Sequence, residues 1–329
     1  MTSHKLTQIF LALAALLVMA ASALADPGVQ VADATSDQRA GSVLIYNIYA
    51  SNSTDPTKEN TRLSITNSHD AEEVFVHLFF VDGTTCAVAD SYICLSKSQT
   101  VSILASDVDP DVRGYLVAVA VKADGKPRHF NYLIGDEYVK LSSGHIANLG
   151  AEAIPALWTR PQDAPTPSSP TGDISYGLNF NGVQYGALPR VLAVDNIASS
   201  RDGNDTLLIV NSIRGNLGSG VVGAGSMFGI LFDELEAGFS YTFMVGCQFR
   251  ASLSDSFPRT APRFTNVVPA GTVGWTKFWA TADRAILGAV INKNTSNSAT
   301  SFNGGHNLHK LTYTTANILD IPVFTAMCS

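Results

Sequence analysis

Hydrophobic and polar residues alternate along this chain with a period of two. In Glu73–Asp82, EVFVHLFFVD, residues Val74, Val76, Leu78 and Phe80 fall on one face and Phe75, His77, Phe79 and Val81 on the other. Both faces are largely apolar, the pattern of a strand covered on both sides. Residues 115–121, YLVAVAV, repeat it. TRLSITN at 61–67 differs: Leu63 and Ile65 alternate with Arg62, Ser64 and Thr66, as in a half-exposed strand. The same reading predicts strands at 43–49, 100–104, 131–140, 190–197, 206–212, 227–233, 240–247, 264–268, 275–280, 285–291, 309–314 and 318–325. Asp82-Gly83, Asp124-Gly125, Asn181-Gly182 and Asp202-Gly203 supply turns between them. Beyond the first 25 residues no sustained helical stripe occurs. The pattern therefore predicts an all-β protein, and many short strands with such turns indicate sandwiches or barrels.

One phrase occurs twice. NTRLSITNS at 60–68 and NDTLLIVNS at 204–212 share the template N-x-x-L-x-I-x-N-S. Val43-Leu44, Asn47-Ile48 and Ala50-Ser51 precede the first, and Val191-Leu192, Asn196-Ile197 and Ala198-Ser199 precede the second. F-x-x-L-F follows each, at Phe75–Phe79 and Phe228–Phe232. A Gly-His pair comes later still, at Gly144-His145 and Gly305-His306. Matches in the same order point to a duplication. Between the copies runs a Pro-rich stretch whose composition supplies no core. The expected layout is a signal peptide at 1–25, an N-terminal β-sandwich at 26–160, a linker at 161–172 and a C-terminal β-sandwich at 173–329. The order of half-exposed and fully apolar strands suits two tandem sandwiches of immunoglobulin-like type. Leu63 and Ile65 are expected to face one core and Leu207 and Ile209 the other. Leu208 and Val210 then make an apolar outer face that something must cover.

Composition narrows the function. The 329 residues carry 21 Lys+Arg against 28 Asp+Glu and are 15% charged, which argues against disorder and against nucleic acid as a partner. At the N-terminus, LALAALLVMAASALA ends in Ala23-Leu24-Ala25, an A-x-A cleavage pattern before Asp26. Export to a periplasmic or extracellular location follows, with no membrane-spanning segment in the mature chain. Export also means an oxidising compartment, so Cys86, Cys94, Cys247 and Cys328 are expected in disulfides. Three pairings are open; Cys86–Cys94 with Cys247–Cys328 is favoured because it closes a short loop and pins the C-terminus.

The stretches VHLFFVDGTTC (76–86), NYLIGDEYVKLSSGH (131–145), LPRVLAVDNI (188–197), GNDTLLIVNSI (203–213) and GHNLHKLT (305–312) resemble a group of uncharacterised secreted bacterial proteins. The resemblance extends over nearly the whole mature chain. It implies export and a build of two immunoglobulin-like β-domains, and it transfers no activity and no site residues.

Candidate chemistry is sparse. Gly218–Gly223 spells G-x-G-x-x-G, but a strand-like, Gly-rich segment follows it instead of the helix a dinucleotide site needs, so no nucleotide cofactor is expected. Asp107, Asp109 and Asp111 alternate in SDVDPDVRG and could converge on calcium, although Pro110 and Val112 depart from the EF-hand pattern. His306 and His309 form H-x-x-H, with no third ligand identifiable and with positions three apart facing opposite sides of a strand. His145 is read as a loop histidine and His77 as a satisfied core histidine. Asp136/Glu137 and Asp233/Glu234 are adjacent pairs that diverge on a strand, and no catalytic residue is assigned. The expected function is exported, non-catalytic binding, adhesion or assembly, through self-association or a surface or matrix partner. The alternative is a secreted hydrolase acting on polysaccharide or ester substrates at an inter-domain cleft. Intact mass of the exported protein is expected to match a chain beginning at Asp26; a mass that includes residues 1–25 would refute the cleavage site.

Overall fold

The computed structural model describes residues 26–31, 34–168, 175–294, 296 and 303–326. The signal-peptide expectation (1–25) and Cys328 lie outside the described residues.

The first part of the chain forms β1 (Val43–Ala50), β2 (Asn60–Asn67), β3 (Val74–Asp82), β4 (Val88–Leu95) and β5 (Thr100–Leu104). After a one-turn helix α1 (Ala105–Val108) come β6 (Arg113–Val121), β7 (Leu133–Lys140), β8 (Ile146–Gly150) and β9 (Glu152–Ile154). Then follow β10 (Ser175–Phe180), β11 (Leu188–Ala198), β12 (Asn204–Ser212), β13 (Gly215–Asn216), β14 (Gly220–Val221), β15 (Gly225–Phe232), β16 (Gly238–Val245) and β17 (Gln248–Ser252). The 264–268 segment, expected as a strand, is a single helical turn, α2 (Phe264–Val267), set between Pro262 and Pro269. The chain ends with β18 (Val273–Ala280), β19 (Ile286–Asn294), β20 (Gly304–Asn307), β21 (His309–Thr314) and β22 (Asn317–Pro322).

These strands make five small sheets. Sheet I has the order β4-β3-β6-β1-β9, sheet II β5-β2-β7-β8, sheet III β17-β12-β19-β20, sheet IV β16-β15-β18-β11-β21 and sheet V β10-β22-β13-β14. The sheets pack in succession. Leu44, Tyr46, Val76, Leu78 and Phe80 of sheet I meet Leu63, Ile65 and Leu133 of sheet II. Val139, Ala147 and Leu149 of sheet II meet Ile209, Ala289 and Ile291 of sheet III. Leu208, Val210 and Val290 of sheet III meet Leu192, Val194, Met227 and Phe278 of sheet IV. The other face of sheet I, with Val43, Ile45, Phe79, Val117 and Val119, packs on Leu178, Phe180, Leu319 and Ile321 of sheet V, and Leu188 of β11 joins the same cluster.

The all-β composition stands, but two tandem immunoglobulin-like sandwiches do not. The arrangement is a five-bladed β-propeller of small sheets. A free-standing sandwich leaves the outer face of each sheet in water. Here both faces of β3 and β6 are buried, as their alternation required, and the second face is covered by strands from beyond residue 174. The described part of the Pro-rich stretch is also held. Pro161–Asp163 forms a 3-10 turn, the Gln184 amide donates to Asp163 O at 3.1 Å, and Ser168 N donates to Ser175 O at 2.8 Å.

Pairing registers relate the two long stretches residue by residue. β1 pairs with β6 and β9 as β11 pairs with β18 and β21. The β1–β6 register breaks between Tyr46 and Tyr49, and the β11–β18 register breaks between Val194 and Ile197. The repeated phrase is not in the same register. Leu63 and Ile65 face the core between sheets I and II, whereas Leu208 and Val210 face the core between sheets III and IV. Ile209, with Leu207 against it, faces sheet II. A one-residue slip moves every side chain to the opposite face. The faces expected for Leu207/Ile209 and Leu208/Val210 are therefore exchanged, and both are covered.

Amides hold the joint between β1 of sheet I and sheet III. Asn211 Nδ2 donates to Asn47 O at 2.8 Å, Gln248 Nε2 to Asn211 Oδ1 at 2.9 Å, and Asn47 Nδ2 to Asn307 Oδ1 at 2.8 Å. Tyr115 Oη donates to Ser212 O at 2.7 Å. The favoured cysteine pairing is corrected as well: Cys86 bonds Cys247 across 161 positions, with Cα atoms 5.5 Å apart. Cys94 is likewise disulfide-bonded. Local spacing suggested Cys86–Cys94, but the turn after β3 brings Cys86 against the β13–β14 hairpin, where Cys86 O accepts from Val221 N.

Replacing Cys86 and Cys247 together by Ser is expected to lower stability by about 2–5 kcal/mol, read from urea unfolding; an unchanged midpoint would show that the bridge adds nothing to the packed joint. A second outcome concerns Glu137, wholly buried beneath the bulge of β1, where Ile48 N donates to its carboxylate. Burial pushes its pKa well above the ordinary carboxylate value, against the opposing effect of the backbone donors. The fold binds this proton more tightly than the unfolded chain, so stability falls as pH rises past the unfolded value. Glu137→Gln is expected to flatten the decline in Tm between mildly acidic and neutral pH; an identical slope would assign the decline to other groups.

Candidate functional site

The seam between sheets III and IV carries the candidate site. β20 belongs to sheet III and β21 to sheet IV, so the chain changes sheet at Leu308. Leu308 is buried and its N–H donates to Gly288 O at 2.9 Å. Asn307 is pinned beside it, donating through Nδ2 to Gly150 O at 2.7 Å and Asp37 Oδ2 at 2.9 Å. His306 and His309 flank these two buried residues and both project outward. The rule that positions three apart face opposite sides holds within one strand, and here the strand is interrupted.

Asp195 supplies the third group. It sits in the bulge of β11, where Asn196 takes a φ of 47° and the register shifts. Bulges re-aim side chains in this way. Asp195 Oδ1 lies 3.1 Å from His309 Nε2 and 3.7 Å from His306 Nε2. One ligand atom from each of the three lies within 4.8 Å of the others, and among the described residues this is the one such grouping of three His, Cys, Asp or Glu side chains. His306 Nδ1 is 2.9 Å from Asn307 O. A carbonyl only accepts, so Nδ1 carries a proton, and Nε2 is the ring nitrogen turned toward Asp195. Next to the trio opens a cleft of about 380 Å³, lined by Asp195, Asn196, Thr206, Asn292, Asn303 and His306 among others.

No known protein family matches this chain, and no curated protein does. Among solved structures, the PBSX exported protein XepA aligns over 77% of this chain and 85% of its own, at 6% identity and a TM-score of 0.21. The major pilin of Streptococcus pyogenes aligns over 79% and 96%, at 8% identity and 0.22. An oxalate decarboxylase of Lactobacillus farciminis aligns over 86% and 76%, at 7% identity and 0.17. TM-scores this low carry nothing about fold or activity, so the chemistry rests on the site's own atoms.

The residues singled out from the sequence are placed as follows. Asp107, Asp109 and Asp111 are not brought together. Asp109 accepts from Tyr49 Oη at 2.5 Å, and burial raises its pKa against that bond. Asp111 accepts from Ser53 N at 2.8 Å and Ser53 Oγ at 2.6 Å, while Asp107 lies in α1. Gly218–Gly223 covers part of the turn of the β13–β14 hairpin and β14 itself, in sheet V, and leads into β15. His145 donates from Nε2 to Asp205 O at 2.9 Å and accepts at Nδ1 from Ser143 Oγ at 2.8 Å, a structural tie between sheets II and III. His77 is buried between Phe79 and Tyr92, with Nε2 2.8 Å from Asp90 Oδ2. Burial lowers its pKa despite Asp90.

Asp195 was missed in the sequence. Its only signal was the Val194/Ile197 interruption, and a bulge is not visible until its partner strand is known. By register, the corner equivalent to Asp195, His306 and His309 is Asn47, Leu149 and Glu152, all buried in the joint. The trio therefore belongs to the second stretch alone, where that corner is open.

Proposed function

We propose that this is an exported, non-catalytic binding protein whose ligand cleft lies at the sheet III–sheet IV seam, with a surface or matrix component as its partner. The observation that carries it is the open cleft in which Asn196, Thr206, Asn292 and Asn303 stand among Val194, Ile197 and Val290, with Asp195 and His306 in its wall and His309 grouped with them. Clefts with a few convergent polar groups are where ligands bind. In support, the equivalent corner of the first stretch holds the protein's own Asn307 side chain through paired hydrogen bonds.

A hydrolase is the second reading, favoured by the His309–Asp195 contact, the geometry of a base with an orienting carboxylate. The cleft is built from the second stretch alone, so such a site would not be inter-domain as the sequence suggested.

Binding of the mature protein to purified envelope and matrix fractions separates the readings. Asn303→Trp, which fills the cleft mouth, is expected to weaken retention at least about tenfold, a change of about 1.4 kcal/mol, with an unchanged melting curve. Equal retention would overturn the cleft assignment, and ester or glycan hydrolysis abolished by His309→Ala would replace binding with catalysis.

A further inference from the structure

We infer that Asp195, His306 and His309 form a binding site for a zinc-class divalent transition metal, with one coordination position open toward the cleft. Two imidazoles and one carboxylate are the donor set of zinc and its neighbours, whereas calcium takes six to eight oxygens. A tetrahedral ion with bonds of about 2.1 Å holds its ligand atoms about 3.4 Å apart. The separations here, 3.1 Å and 3.7 Å from Asp195 Oδ1 to the two Nε2 atoms, bracket that value.

The surroundings support coordination over a simple surface ion pair. His306 has its Nδ1–H bound to a backbone carbonyl, the arrangement that fixes a liganding imidazole with its Nε2 lone pair outward. The three donors come from three strands, β11, β20 and β21. Each is fixed by the backbone: the bulge for Asp195, and the buried Asn307–Leu308 pair between the histidines. All three side chains are about half exposed, so an ion can enter and rotamers can adjust by the few tenths of an ångström required. Three protein ligands leave a fourth position, which a water or an oxygen of a cleft ligand would fill. The site is independent of whether the cleft takes a macromolecular partner.

The test is titration of Zn²⁺ into the untagged mature protein by calorimetry, with Co²⁺ absorption as a second readout. One Zn²⁺ per chain is expected, with the intense visible bands of four-coordinate Co²⁺. His306→Ala, His309→Ala and Asp195→Asn are each expected to weaken Zn²⁺ binding more than about tenfold without a change in melting curve before metal is added. Asp107→Asn should leave it unchanged. Absence of Zn²⁺ binding, or binding that survives the His306→Ala/His309→Ala double variant, would overturn the inference. So would a Ca²⁺ heat sensitive to Asp195→Asn and displacing Zn²⁺. Retention on envelope or matrix fractions is read separately, so a failure of either assignment leaves the other decided on its own evidence.

Discussion

Sheet I is apolar on both faces, and the rest of the molecule is arranged to cover the second of them. Val43, Ile45, Phe79, Val117 and Val119 all point away from sheet II and are fully buried. Each such side chain contributes about 1.5–3 kcal/mol when taken out of water. Two of them therefore match the whole effect of one long-range disulfide, about 2–5 kcal/mol. Apolar burial fixes the position of sheet V on sheet I, and Cys86–Cys247 ties the β3–β4 turn of sheet I to the β16–β17 connection in the same apolar cluster.

The joint between β1 of sheet I and sheet III obeys a different constraint. There the backbone of β1 bulges inward, and its polar groups must be satisfied without water. Asn47, Asn211, Gln248 and Asn307 do this in a connected set, and Glu137 takes the N–H of Ile48 from below. The same bulge in β11 faces solvent, and the position of Asn47 is taken by Asp195. One backbone irregularity thus has two uses. Enclosed, it carries amides that lock two sheets; open, it carries a carboxylate that meets two histidines.

Several features were legible in the sequence because they depend on local alternation. The two-faced burial of β3 and β6 and the placement of the Asp-Gly and Asn-Gly turns follow from side-chain period and turn chemistry alone. The site was only half legible. H-x-x-H is visible, but its convergence needs a sheet change at Leu308, and Leu308 looks like any other apolar residue. The repeated phrase misled by one position. N-x-x-L-x-I-x-N-S aligns Leu63 with Leu207, whereas packing aligns Leu63 with Leu208, because β12 is apolar on both faces and either register satisfies the pattern.

By itself, the sequence determined the all-β class, the strongly alternating strands, and that some of these require cover on both sides, since these follow from alternation along a single strand. Only the tertiary structure decided what supplies that cover, which cysteines pair, which face each copy of the repeated phrase turns inward, and that Asp195 joins His306 and His309. Each of these depends on strand neighbours far apart in the chain. A strand carries no record of its partner beyond an apolar face that many partners could fill.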